Sequence, residues 1–227
     1  MNRSSAGVFK MYLKDARLSV IIFWSILFAI YFLMATVMTA VGEGEVNSAG
    51  VSPMYVYMFV SGIVGLRESL PYALGMNVRR KDYFYGVMIA AFSIAACFGA
   101  FATLLAVIEE AVTGAFDVRT ISFFRVAWFE RVSFVGEFAA HLVFLCFFFT
   151  LGFFFSLLQK RFGAISLYAL GALSIVAIFL MHLLGAWPSV FRWLLSLDSV
   201  LTFSLWLVPA VAVVAGASFL LMRRVTP

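Results

Sequence analysis

The sequence predicts an all-α integral membrane protein with six transmembrane helices and short interfacial helices, as its composition and long apolar runs indicate. Hydrophobic residues make up 64% of the 227 residues and charged residues only 12%, against about 45–50% and about 25% in ordinary soluble domains. A soluble fold of this length could not bury so much apolar surface, because its exterior must stay mostly wettable. In hydrocarbon the backbone groups must bond within each segment, so long apolar runs are helices.

Six runs reach the length of about 20 mostly apolar residues that a helical span needs. The second run is the weakest, because Arg67 and Glu68 fall near its end and Pro71 follows. The apolar part of the first run is too long for a cleavable secretory signal, so we interpret it as a span. We expect a single transmembrane domain over residues 1–227, with spans at 18–41, 53–70, 83–108, 133–158, 164–184 and 200–222.

Lys and Arg are distributed unequally between the connecting segments, and this bias predicts the orientation. With the N-terminus inside, 12 of the 16 basic residues lie on the cytoplasmic side and 4 lie outside. We therefore expect both termini in the cytoplasm, and we attribute the net charge of +5 to topology and not to nucleic-acid binding. The inner set is Arg3, Lys10, Lys14, Arg17, Arg67, Arg79, Arg80, Lys81, Lys160, Arg161, Arg223 and Arg224, and the outer set is Arg119, Arg125, Arg131 and Arg192.

Few residues in the predicted spans could carry out chemistry. The chain has no Gly-x-Ser-x-Gly turn and no Gly-Lys pair of a Walker loop, so we expect no ATP hydrolysis by this chain. Cys97 and Cys146 both fall inside predicted spans, where a metal site would need more ligands and a disulfide would need a wet, oxidising position, so neither is expected. The ionisable residues within or near the span cores are His141, His182, Glu109, Glu110 and Glu137.

Three segments next to the spans mix apolar and charged residues and are predicted to be interfacial helices. They are residues 9–17 on the inner side and residues 109–131 and 186–199 on the outer side, with Trp128 expected at headgroup level. Within the spans, Ala91, Ala95 and Gly99 share one helix face, and small residues on one face let helices approach closely in lipid. Ala212, Gly216 and Leu220 in the sixth span have the same spacing but suit close packing less well.

The second inner connection, residues 66–86, is too long for a tight turn and too apolar for a tether. Leu70, Ala73, Leu74 and Val78 fall near one face of a short helix, which three basic residues at 79–81 would end favourably for the helix dipole. Such a helix, over about residues 66–82, could lie on the inner membrane surface and dock a cytoplasmic partner. The alternative is that the basic residues only enforce topology.

The stretch PYALGMNVRRKDYFYG, residues 71–86, resembles the loop of small permease subunits of bacterial ABC transporters. In that family a Pro-Phe-Ala-Leu-like start leads through Gly and Ser/Thr-Arg-Lys to an aromatic pair and Gly. Two further pieces agree in order. They are Ile108-Glu109 with Thr113-Gly114, and Lys160-Arg161-Phe162-Gly163 before the fifth span.

The resemblance implies the six-helix fold of type-2 ABC exporters in the bacterial cytoplasmic membrane. The chain would export a hydrophobic or amphipathic substrate by alternating access, together with a second permease subunit, like or unlike itself. Separate cytoplasmic ATPase subunits would hold ATP and Mg²⁺, so no cofactor is expected in this chain. The candidate residues for coupling to the ATPase are Glu68, Tyr72, Gly75, Arg79, Arg80, Lys81 and Asp82, and those for a translocation path or outer gate are Glu109, Glu110 and His141.

Two other functions stay open from the residues alone. A membrane-embedded specificity subunit of an uptake system would need a polar outer pocket, for which Glu109, Glu110, Arg119, Arg125 and Trp128 are the candidates. A membrane enzyme would need Glu109, Glu110 and His141 to meet at the outer end of the third and fourth spans. Glu109-Glu110 begins the Glu-Glu-x-x-x-Arg motif of intramembrane metalloproteases, but Gly114 stands where that motif has Arg.

Overall fold

The computed structural model of the chain describes residues 3–41, 46–47, 50–116, 121–125, 133–197 and 199–223. Within them the fold consists of helices and one pair of very short strands. The strands, β1 (Val46–Asn47) and β2 (Ile121–Ser122), pair in parallel. The helices are α1 (Arg3–Val41), α2 (Pro53–Gly75), α3 (Arg80–Phe116), α4 (Phe134–Phe162), α5 (Ala164–Leu183), α6 (Trp187–Leu195) and α7 (Val200–Met222).

Five of these helices, namely α1, α3, α4, α5 and α7, are long and apolar enough to cross a membrane. They indicate a multi-pass membrane protein. Each of the six predicted runs is helical, and α2 has a sufficient length of 23 residues. However, Arg67 and Glu68 lower its apolar character, and it is not among the five.

The separate helix predicted over residues 66–82 is not present, and this expectation is corrected. Instead, α2 continues to Gly75, a turn follows at residues 76–79, and α3 begins at Arg80. Helix α2 continues past Pro71 because Leu70 and Ala73 are buried in the bundle. Two residues after its end at Gly75, Asn77 has a φ of 58°, and Asn tolerates this left-handed region better than most residues. The N–H groups of Asn77 and Val78 donate to the carbonyls of Leu74 and Ala73, which closes the helix end.

The inner interfacial helix predicted at residues 9–17 is likewise part of one continuous helix, the 39-residue α1. Its N-terminal turns are packed and not free at a surface. Val8 and Tyr12 are buried, and the Tyr12 hydroxyl donates to the carbonyl of Ser61 on α2 at 3.1 Å. These contacts favour an uninterrupted helix. The sequence favours it as well, since residues 8–41 contain no Gly or Pro.

Helix α4 lies at the centre of the bundle and contacts α2, α3, α5 and α7, while α1 packs on α3. Its closest approach is to α2 at Gly62 and Gly152. A Cβ at Gly152 would collide with the carbonyl oxygen of Phe59, and one at Gly62 would collide with that of Phe149. The two backbones therefore touch, which only glycine permits.

The predicted packing face of α3 is confirmed, since Ala91, Ala95 and Gly99 are buried. The corresponding residues of α7 are not packed, because Ala212 and Gly216 are exposed. Helix α5 has no buried residue. The short helix α6 falls within residues 186–199, so a short helix in that segment is confirmed.

The order of the helices shows which helix ends and turns lie at the same end of the bundle. We name the two ends by the charged residues that they carry. At the basic end lie the start of α1, the turn at residues 76–79 and the C-termini of α4 and α7, together with most of the Lys and Arg residues. At the acidic end lie the start of α4, helix α6 and residues 121–125, together with Glu109, Glu110 and Glu137.

Candidate functional site

Glu109 attaches the returning segment 121–125 to α3 at the acidic end. Its side chain is buried, and its two carboxylate oxygens accept the backbone N–H groups of Phe123 at 3.0 Å and Phe124 at 2.9 Å. Both phenylalanine rings are buried, and their centroids lie 5.4 and 5.0 Å from that of Tyr31 on α1. One carboxylate thus positions a short segment that covers the α1–α3 pair.

The prediction of one interfacial helix over residues 109–131 is wrong, because the described residues in this range do not form a separate helix. Helix α3 continues to Phe116, and residues 121–125 form β2 and a bend instead of a helix. The burial of Phe123 and Phe124 and the two hydrogen bonds from their backbone N–H groups to Glu109 favour this inward path. Residues 117–120 and 126–132, which include Trp128, lie outside the part of the chain that the structure describes.

Glu109→Gln is expected to lower the free energy of unfolding by about 2 kcal/mol, because hydrogen bonds to charged groups contribute about 1.5–3 kcal/mol. The amide can accept only one of the two N–H groups and presents a donor to the other. Thermal unfolding in detergent measures the change. Glu110→Gln is the matched control, because the Glu110 side chain is 67% exposed. Equal midpoints for the two variants would contradict the role given to Glu109.

Arg125 links two further carboxylates at the acidic end. Its Nη1 atom donates to Glu110 Oε2 at 2.9 Å, and its Nη2 atom lies 3.8 Å from Glu137 Oε2. The Glu137 side chain is only 1% exposed, whereas that of Arg125 is 24% exposed. Glu137 stands in the first turn of α4, where the helix dipole also favours a negative charge.

His141 continues this connection one turn further along α4. Its Nε2 atom lies 4.0 Å from Glu137 Oε1, and its Nδ1 atom shares a hydrogen bond of 2.7 Å with the Tyr55 hydroxyl of α2. His141 is fully buried. We call this series, Glu110, Arg125, Glu137, His141 and Tyr55, the polar chain.

The polar chain joins α2, α3, α4 and the segment 121–125 at one end of a bundle whose buried side chains are mostly apolar. Its charged groups face one another, so the arrangement is suited to holding these elements in one relative position. Among the described residues, no three His, Cys, Asp or Glu side chains are grouped so that they could hold a metal ion.

The structure therefore places the three predicted outer residues at the same end but in different roles. Glu110 and His141 belong to the polar chain and are connected through Arg125 and Glu137, whereas Glu109 binds the backbone of the neighbouring segment. Glu137 and Tyr55 were not among the predicted site residues. The spacing of Glu137 and His141 by four residues, which places them on one helix face, is the signal that could have identified Glu137.

Three of the five residues predicted for the outer pocket of an uptake subunit are described, and each of the three has a partner in the structure. Glu110 and Arg125 bond to each other, and Glu109 bonds to backbone groups. Arg119 and Trp128 fall outside the described ranges.

The predicted coupling residues lie together at the basic end. Glu68, Tyr72 and Gly75 are exposed on the last turns of α2, and Arg79 is exposed in the turn. Lys81 and Asp82 follow in the first turn of α3. Arg80 Nη1 lies 3.5 Å from the carbonyl oxygen of Arg223, to which it donates, so the end of α7 adjoins this surface.

Comparison with protein-family models, with curated proteins and with solved structures finds no match to this chain.

Proposed function

We propose that this chain is the permease subunit of an ABC transporter in the bacterial cytoplasmic membrane, where it exports a hydrophobic or amphipathic substrate. The observation that carries the proposal is the exposed turn at residues 76–79, which joins two long helices and is followed directly by basic residues. The resemblance of residues 71–86 to the ATPase-docking loop of such permeases supports the same assignment. The ATP and Mg²⁺ would be bound by separate ATPase subunits, and a second permease subunit would complete the transporter.

The orientation belongs to the same proposal. Positively charged residues favour the cytoplasmic side, and the basic end holds Lys10, Lys14, Lys160 and Arg161 besides the turn. The turn would therefore face the ATPase, with both termini inside. In this arrangement α2 would also cross the membrane, as the second of six spans in chain order. Some of its hydroxyls pair within the bundle, for example Ser69 with Tyr83 at 2.7 Å.

Helix α2 is well placed to transmit movement from the turn into the bundle. It is continuous from Pro53 to Gly75, and its buried face runs along most of its length. Backbone contact with α4 at Gly62 and Gly152 leaves little room for α2 to slide independently. A force on residues 76–79 would then displace α2 and α4 together, and the polar chain would carry this displacement to the acidic end.

The docking assignment is tested with the triple variant Arg79→Glu, Arg80→Glu and Lys81→Glu. The tagged chain is co-expressed with the ATPase encoded next to it, and the retained ATPase is measured after purification. We expect at least about a ten-fold loss, because charge pairs at interfaces contribute 2 kcal/mol or more when one partner is removed.

The matched control reverses two other exposed cations of the basic end, Lys10→Glu and Lys14→Glu. It should retain the ATPase. Labelling of Asn77→Cys from the cytoplasmic side checks that the topology of each variant is unchanged. Full retention of the ATPase by a correctly inserted triple variant would refute the docking assignment.

A further inference from the structure

A cleft of about 700 Å³ lies between α4 and α7 at the basic end. Most of its wall is apolar, whereas two arginines stand at its charged edge. It is lined chiefly by Phe154, Leu158 and Arg161 of α4, and by Ala217, Leu220 and Arg223 at the end of α7. No acidic residue lines it.

The cleft changes from charged to apolar with depth. Phe154, Leu158 and Arg161 are spaced four and three residues apart, so they share one face of α4. Phe154 and Arg161 are separated by seven residue steps, which correspond to roughly 10 Å along the helix axis. Because both helices end beside the arginines, the charged edge lies where a span leaves the hydrocarbon.

A ligand for this cleft must combine an anionic group with an apolar chain. Guanidinium groups bind phosphate oxygens through charge-assisted hydrogen bonds, and basic clefts between transmembrane helices bind anionic lipid headgroups. No ion pair involves Arg161 or Arg223 among the residues that the structure describes.

We propose that the cleft binds one anionic phospholipid of the surrounding bilayer. Its phosphate would lie between Arg161 and Arg223, and one acyl chain would run along Leu158, Phe154 and Leu220. This site does not depend on the transport function proposed above, since it requires only that α4 and α7 are embedded in lipid. The competing interpretation is that the two arginines serve only to orient the helices.

The test uses the full-length chain in detergent and native mass spectrometry. Phosphatidylglycerol and phosphatidylcholine with the same acyl chains are added separately, and the lipid retained per polypeptide is counted. We expect one phosphatidylglycerol to be retained in preference to phosphatidylcholine. Arg161→Gln and Arg223→Gln should each reduce this preference about five-fold, the effect of removing one basic residue near an anionic lipid.

Two further variants separate a built site from general surface charge. Lys160→Gln removes the same charge from the neighbouring residue, which does not line the cleft, and it should leave the preference unchanged. Ala217→Trp fills the apolar part while keeping both arginines, and it should reduce retention of phosphatidylglycerol. A monodisperse peak in size-exclusion chromatography confirms that each variant is folded.

Three results would overturn the proposal. The first is an equal loss of preference in Lys160→Gln and Arg161→Gln, which would indicate a surface-charge effect. The second is unchanged retention in Ala217→Trp, which would show that no acyl chain occupies the cleft. The third is complete displacement of phosphatidylglycerol by millimolar inorganic phosphate, which would identify a site for a free anion.

Discussion

Replacing Gly152 with leucine is expected to prevent the chain from accumulating as a folded protein. Any Cβ at this position would overlap the backbone carbonyl of Phe59, and a backbone atom cannot rotate away as a side chain can. Overpacking by a single methylene in a core typically costs about 1–3 kcal/mol. Leucine adds several carbons at a contact between two helices, so the change would consume much of a typical stability of about 5–15 kcal/mol.

The yield of monodisperse protein in size-exclusion chromatography measures this effect. Gly152→Ala and Gly62→Ala should give intermediate losses, because each adds one methyl group to the same crossing. Gly171→Leu on α5 and Gly216→Leu on α7 are matched controls, since a Cβ at either position meets nothing within 4 Å. If Gly152→Leu were as stable as Gly171→Leu, the close approach of α2 and α4 would be wrong.

Arg125→Leu is expected to lower the free energy of unfolding by about 3 kcal/mol, the lower part of the range found when one partner of a buried ion pair is removed. The variant leaves Glu137, which is 1% exposed, without the cation that lies 3.8 Å away. The lower part of the range is appropriate because Arg125 itself is 24% exposed. Thermal or denaturant unfolding in detergent measures the loss.

The double variant Arg125→Leu with Glu137→Leu separates loss of the ion pair from loss of side-chain packing. Replacing both partners of a buried ion pair with apolar residues is often neutral or stabilising, so the double variant should be more stable than Arg125→Leu alone. Glu110→Gln removes the more exposed partner of Arg125 and should change stability by only about 0–1 kcal/mol. A double variant less stable than the single one would show that the Glu137 carboxylate is not compensated by Arg125.

The sequence predicted helices best where their ends carry local signals. The fifth run was predicted at 164–184 and α5 spans Ala164–Leu183, because Gly163, with a φ of 76°, separates it from α4. The start of α7 follows Ser199, whose side chain accepts the N–H of Leu201. The prediction was wrong between α2 and α3, where a span ending at residue 70 and a separate short helix over about residues 66–82 were expected. Burial of Leu70 and Ala73 keeps α2 helical there, and only tertiary structure reveals that burial.

The sequence predicts where the residues of the candidate site lie, but it does not predict the ion pairs and hydrogen bonds that connect them. Glu109, Glu110 and His141 fall near span ends, so their common location follows from counting residues along the runs. Their link depends on Arg125, which reaches Glu110 and Glu137 only because the chain folds back over α3. No periodicity in residues 109–131 indicates that return, since Phe123 and Phe124 look like lipid-facing residues until their burial is known.

The helices also differ greatly in length, and this determines how far each one extends beyond the hydrocarbon core of the bilayer. Helix α5, with 20 residues, is about 30 Å long and matches the hydrocarbon thickness. Helices α1 and α3, with 39 and 37 residues, are about 58 and 55 Å long and pack side by side. Even when tilted by about 40°, these two helices would span about 45 and 43 Å along the membrane normal, which exceeds the hydrocarbon thickness of about 30 Å. The pair must therefore extend as paired helices beyond the hydrocarbon into the headgroup region, whatever its tilt.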